Sequence, residues 1–142
     1  MNPTAIHEAG HACIAADTPG VTVRRVSIVG TAAGAGHCEW EGAPAPIRQA
    51  CIALAGPIAE SKYLHGRATY DSGATDRQRG LDVLGRAMDL PGSDWRVAEK
   101  LKFVGSMTRA LVVVHWRWIE VVAMALSRYE ILTGEDVVRL RS

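Results

Sequence analysis

The feature that most limits this chain is a pair of histidines four residues apart in an otherwise small and apolar stretch. His7-Glu8-Ala9-Gly10-His11 runs into Ala12, Cys13, Ile14 and Ala15. Residues i and i+4 share one face of an α-helix. The sequence therefore predicts a buried helix from about Ala5 to Ala16, capped by Thr4, that aims two imidazoles at one point. Two imidazoles in a core need a partner, and Zn2+ suits that geometry. Glu8 sits about 60° round the helix from His11, beside such a metal but not bound to it. A carboxylate there can take a proton from a water that the metal acidifies to a pKa of about 7.

Two histidines leave a catalytic zinc one protein ligand short, and several side chains compete for that place. Asp17 lies ten residues after His7, but on a straight helix it falls about 9 Å beyond His11 along the axis. Glu60 belongs to a later helix. His37 and His65 are lone histidines, a type more often hydrogen-bonded than ligating. Asp76 is the best placed: it falls in a first helical turn, where the helix dipole keeps a carboxylate ionised. The same position also suits an aspartate that serves only the dipole, so both readings of Asp76 stand. The small Gly80, one turn on, is expected to let that helix approach the histidine helix.

The remaining elements follow in order. Val21 to Val29 is rich in β-branched residues, and its alternation changes phase at Arg24-Arg25, which predicts a bulge. A glycine-rich loop from Gly30 to Gly36 lacks the ending of a phosphate loop. His37 to Trp40 reads as a second strand. A helix from Ile47 to about Leu64 contains Gly56-Pro57, which should kink or divide it. A polar loop covers Gly66 to Ala74. Thr75-Asp76-Arg77-Gln78 has the form of a capping box opening a helix to about Asp89, with Leu81, Leu84 and Met88 on one stripe. Ser93 is expected to cap a helical region over Asp94 to Tyr129, broken near Gly105-Ser106. Thr133-Gly134-Glu135-Asp136 opens a short terminal helix. The expected fold is mainly α (α+β), a single domain over residues 1–142, with a small antiparallel β unit after the histidine helix.

Composition narrows the function. A net charge of +1 gives no reason to expect nucleic acid. The most apolar region, Ala110 to Leu126, is interrupted by His115, Arg117 and Glu120, which argues for a buried helix rather than a membrane span. No N-terminal signal segment is evident. Cys13, Cys38 and Cys51 lack metal-site spacing and read as reduced core thiols of a cytoplasmic protein. His115, Trp116 and Trp118 read as packing, with a subunit interface as the other use. Arg24-Arg25 reads as a solvated pair, and Arg139 and Arg141 as helix C-terminal charges.

Four stretches together carry a family resemblance. His7 to Ala12, Leu54-Ala55-Gly56-Pro57-Ile58-Ala59-Glu60, Ser72-Gly73-Ala74-Thr75-Asp76, and Leu132-Thr133-Gly134-Glu135 resemble, in order and rough spacing, the landmarks of the FtsH-type peptidase domain, peptidase family M41. The resemblance spans nearly the whole chain, and Val23 to Gly36 is similar to that family's strand after the zinc helix. It implies a helical, zincin-like metallopeptidase domain in which His7, His11 and Asp76 hold Zn2+ and Glu8 is the general base. Glu60 matches a family glutamate near the site that supports it without ligating. The chain departs from the family in three ways. It lacks the ATPase module and the membrane anchor, the loop before Asp76 is one residue shorter, and Pro57 replaces a usual arginine. The expectation is an ATP-independent zinc endopeptidase acting on peptides or unfolded protein, alone, as a homo-oligomer, or with a separate ATPase or adaptor partner. Two alternatives accompany it: a non-catalytic zinc-binding adaptor or oligomerisation module, and a regulatory zincin that cleaves one specific partner.

Overall fold

The computed structural model describes residues 1–30, 36–66 and 73–141. Most of the glycine-rich loop (31–35) and of the polar loop (67–72, with Ser72 of the third landmark) lies outside the described residues. The chain is mainly helical with a small antiparallel sheet. Its elements are α1 (Pro3–Asp17), β1 (Val21–Ser27), β2 (His37–Gly42), α2 (Pro46–Tyr63), α3 (Ala74–Met88), α4 (Trp95–Val114), α5 (Trp116–Tyr129), β3 (Ile131–Thr133) and α6 (Gly134–Arg139).

Helix α1 is the centre of the molecule, touching α2, α4, α5, α6, β1 and β2. Its apolar residues Ala5, Ile6, Ala9, Ala12, Cys13, Ile14 and Ala15 are fully buried, so there is no polar outer face for a single stripe to oppose. The cap is Asn2, whose side chain accepts from the Ala5 amide at 2.7 Å. It is not Thr4, because Pro3 supplies the first helical residue with its fixed φ and missing N–H. Gly10 lets α1 lie directly on α2: a Cβ there would stand 2.6 Å from the Ala55 carbonyl oxygen.

Helix α2 runs unbroken through Pro57, against the expected division. Proline removes one helical hydrogen bond, but Ala55, Gly56 and Ala59 on either side are buried, and that packing keeps the two halves as one helix. Helix α3 is capped at Gly73 with no side-chain cap. Thr75 therefore lies inside the first turn, and Gln78 bonds forward to Asp82 at 2.9 Å rather than back to Thr75. Gly80 meets α4 through Leu101, not α1. Leu81 and Leu84 are buried, while Met88 is exposed.

The long C-terminal helical region breaks at His115, with a bend of 74° between α4 and α5, and not at Gly105-Ser106. Gly105 is buried inside α4, where a small residue suits close packing. Asp94, rather than Ser93, caps α4 by accepting from the Arg96 amide. No single helix among the described residues is long and apolar enough to cross a membrane; the bent α4–α5 pair meets that length and composition only jointly.

The sheet order is β2-β1-β3, all antiparallel. The register of β1 against β2 shifts between Val23 and Arg25, a bulge at the predicted phase change. The third strand was not expected: Ile131–Thr133 is too short for a periodic signal and forms because it pairs with Arg25, Val26 and Ser27. Thr133 then caps α6 in a capping box with Asp136.

Candidate metal centre

His7 and His11 leave α1 on the side covered by α2 and α3. Each imidazole is fixed through Nδ1. His11 Nδ1 donates to the Ile52 carbonyl oxygen at 2.7 Å. His7 Nδ1 donates to Glu60 Oε1 at 2.8 Å. A carbonyl and a carboxylate accept only, so in the neutral imidazoles both Nε2 atoms carry lone pairs. Those lone pairs converge on a third acceptor, Asp76 Oδ2. The separations are 2.9 Å from His7 Nε2, 3.2 Å from His11 Nε2, and 3.1 Å between the two nitrogens.

Three lone-pair atoms this close repel one another unless a cation lies among them. A proton is one answer. Although burial alone would lower it, the His7 pKa is raised by the hydrogen bond to Asp76 and the charges of Glu8 and Asp76. For Asp76, burial opposes ionisation, but the hydrogen bonds and charges of His11 and His7 win and hold its carboxyl far below the usual range. A divalent metal is the other answer. Four-coordinate zinc at about 2.0–2.1 Å sets its ligand atoms roughly 3.3 Å apart, close to the triangle found here, so these residues fit such an ion.

Glu8 completes the cluster without entering the triangle. One oxygen of Glu8 and one ring nitrogen each of His7 and His11 lie within 4.8 Å of one another, so these three side chains could also hold an ion together. Glu8 Oε2 is buried with no hydrogen-bond partner among the described residues, so it can accept from a reacting water or amide. Burial pushes the Glu8 carboxyl above its ordinary value, and the nearby imidazoles offset this only in part. An oxygen that is both unpartnered and more basic than usual is suited to accept a proton.

A cleft of about 820 Å³ opens over these groups, walled by α3 through Asp76, Arg79 and Arg86 and by Gly36, His37, Cys38 and Trp40 of the β2 region. Consecutive residues of that strand line it, so the cleft meets the strand along its edge, and β2 has β1 as its only sheet neighbour among the described residues.

The structure separates the other sequence candidates. Asp17 is far along α1, held by Arg48 at 3.4 Å, His115 at 3.3 Å and Arg141 at 2.7 Å. Arg141 also lies over the Trp118 ring at 4.6 Å, so it is no ordinary terminal charge, and His115 packs edge-on to Trp118. Trp118 itself is buried and donates to the Val137 carbonyl oxygen. Arg24 and Arg25 are both exposed, as expected of a solvated pair, and Arg24 also pairs with Glu41 across β1 and β2. His37 is in the cleft wall, paired with Glu39 at 3.1 Å. His65 faces a different cavity. Cys13 and Cys51 are buried free thiols, and Cys38 is half-buried.

Two contributors escaped the sequence reading. The Ile52 carbonyl orients His11, and no side chain announces a backbone acceptor. Gly56 makes room for His11: a Cβ there would stand 2.3 Å from His11 Nε2. A glycine inside a helix at a cost of about 1 kcal/mol is the signal that marks such a position. No protein-family model and no curated protein matches this chain.

Proposed function

We propose that the chain is a zinc-dependent endopeptidase of the FtsH-type, peptidase family M41. His7, His11 and Asp76 hold the ion and Glu8 is the general base. The observation that carries this reading is the triangle of three lone pairs within 3.2 Å, beside a buried carboxylate oxygen with no hydrogen-bond partner among the described residues. A zinc ion bound there supplies an acidified water and a Lewis acid for the scissile carbonyl. Glu8 Oε2 accepts the proton of the attacking water and returns it to the leaving amine. Glu60 and the Ile52 carbonyl keep each Nε2 lone pair on the ion's side. The substrate backbone lies along the outer edge of β2, adding a strand there. Only an extended segment fits, so the substrate is a flexible peptide or an unfolded stretch of protein.

The test is Glu8→Gln. The variant should bind zinc as the wild type does, by elemental analysis, and cleave an unstructured protein at least about 10²-fold more slowly, the scale of lost general-base catalysis. Equal cleavage by both proteins rejects the mechanism. Zinc bound by both with no cleavage by either is the outcome of the non-catalytic adaptor or of the regulatory zincin, which only cleavage of a specific native partner tells apart.

A further inference from the structure

A second cavity, of about 1180 Å³, lies on the other side of α2 and shares no lining residue with the first. Its floor is apolar, with Leu54, Pro57, Ile58, Leu101 and Val112, while its rim carries Lys62, Arg77, Lys102 and Arg109 and, among the described residues, no carboxylate. This excess of cations is local, since the whole chain has a net charge of only +1. The guanidinium groups of Arg77 and Arg109 have no hydrogen-bond or ion-pair partner among the described residues. Lys62 rests over the Trp116 ring at 5.0 Å, and Lys102 has only an exposed pairing with Glu99.

We propose that this groove docks an acidic segment of a partner protein, with apolar side chains on the floor and carboxylates at the rim. The dimensions suit a peptide. From Ala98 to Val113 the α4 wall is sixteen residues long, about 22 Å for its fifteen rises of 1.5 Å, which an extended chain covers in roughly six or seven residues. Lys102 and Arg109 are seven residues apart on α4, about 10.5 Å. Carboxylates three residues apart on an extended chain of three residues per turn share one side at about 9.3 Å, close to that spacing. The cavity also exceeds the usual size of a small-molecule site. A second copy of this chain is a poor occupant. Nowhere do three of its carboxylates fall within five residues, and Glu39, Glu41, Asp94, Glu99 and Asp136 are already paired. The inference does not rest on the hydrolytic reading, because the groove and the metal centre face different ways.

The experiment titrates the protein with a labelled ten-residue peptide of Glu and Leu, its Gln/Leu and Lys/Leu counterparts, phosphatidylserine vesicles and a single-stranded oligonucleotide. The Glu/Leu peptide should bind, more weakly as salt rises, and shift the amide resonances of Ser61, Ser106 and Val113. Arg77→Glu with Arg109→Glu should weaken it by roughly tenfold or more. Arg77→Lys with Arg109→Lys should retain it, and thermal melts should show all variants folded. If the reversal variant does not fold, Arg77→Gln with Arg109→Gln replaces it, with the same direction expected. Equal binding of the Gln/Leu peptide, indifference to charge reversal, no binding at all, or tighter binding of the vesicles or oligonucleotide would each overturn the proposal.

Discussion

At the scale of single residues, the candidate metal centre depends as much on what is missing as on what is present. Gly56 has no side chain because His11 occupies the space. Gly56→Ala would gain helix propensity worth about 1 kcal/mol yet place a methyl 2.3 Å from His11 Nε2. The imidazole must then turn and give up its bond to Ile52. The expected outcome is a folded protein whose zinc affinity falls by roughly 10–100-fold, the scale of losing a ligand's orienting partner. Competition with a chelating dye measures the affinity, and circular dichroism checks the fold. Unchanged affinity would mean that the ring tolerates the displacement. The legibility of the site follows the same division. His7, Glu8 and His11 are readable because four-residue spacing on a helix is a local property. The first-turn position of Asp76 is local as well. The Ile52 carbonyl and the space above Gly56 exist only once α1 and α2 are packed, so no spacing encodes them.

At the scale of elements, boundaries went astray wherever packing outweighed propensity. Pro57 and Gly105 are both helix-weakening residues, yet both lie within continuous helices because their neighbours are buried. The break came at His115, where the chain turns so that α5 can lay Ile119, Val122 and Leu126 in the core. The end of α1 shows a similar non-local tie. Asp17 joins it to α2 through Arg48, to the α4–α5 corner through His115, and to the C-terminus through Arg141. Burial opposes the charge of Asp17, but the Arg141 hydrogen bond, His115, and Arg48 outweigh it and hold the carboxyl below its usual value. A lowered folded pKa means that the unfolded chain binds the proton first as pH falls. The stabilisation is therefore complete above the usual carboxylate pKa of about 3.9 and is lost below it. Asp17→Asn should cost about 1 kcal/mol near neutral pH, a value held down by the partial exposure of Arg141. The gap between variant and wild type should close as pH falls below about 4. Urea unfolding at several pH values reads this directly, and a gap that persists in acid would assign the effect to packing instead.

At the scale of the whole molecule, the candidate metal centre is a junction of helices. His7 and His11 come from α1, Glu60 and the Ile52 carbonyl from α2, and Asp76 from α3. Helix α3 has no side-chain cap and few buried residues, namely Asp76, Gly80, Leu81, Leu84 and Gly85, so Asp76 is a large part of what ties it to α1. An ion bound by all three ligands would then act as a cross-link in the folded state alone. Zinc at about a thousand times its dissociation constant should add about 4 kcal/mol of stability, less any affinity of the unfolded chain. For a domain of this size that is a rise of roughly 12 °C in Tm. Asp76→Asn separates the ion's contribution from that of the fold. The amide keeps the shape and a hydrogen bond to the imidazoles, but it is a poor zinc ligand and removes one of the three clustered charges or lone pairs. Without metal, the variant should melt somewhat below the wild type, since it loses the carboxylate charge that the imidazoles stabilise. With zinc, it should lose most of the rise. Calorimetry with and without zinc distinguishes the cases, because a purely structural Asp76 would destabilise both states equally when replaced, leaving the zinc-dependent increment intact.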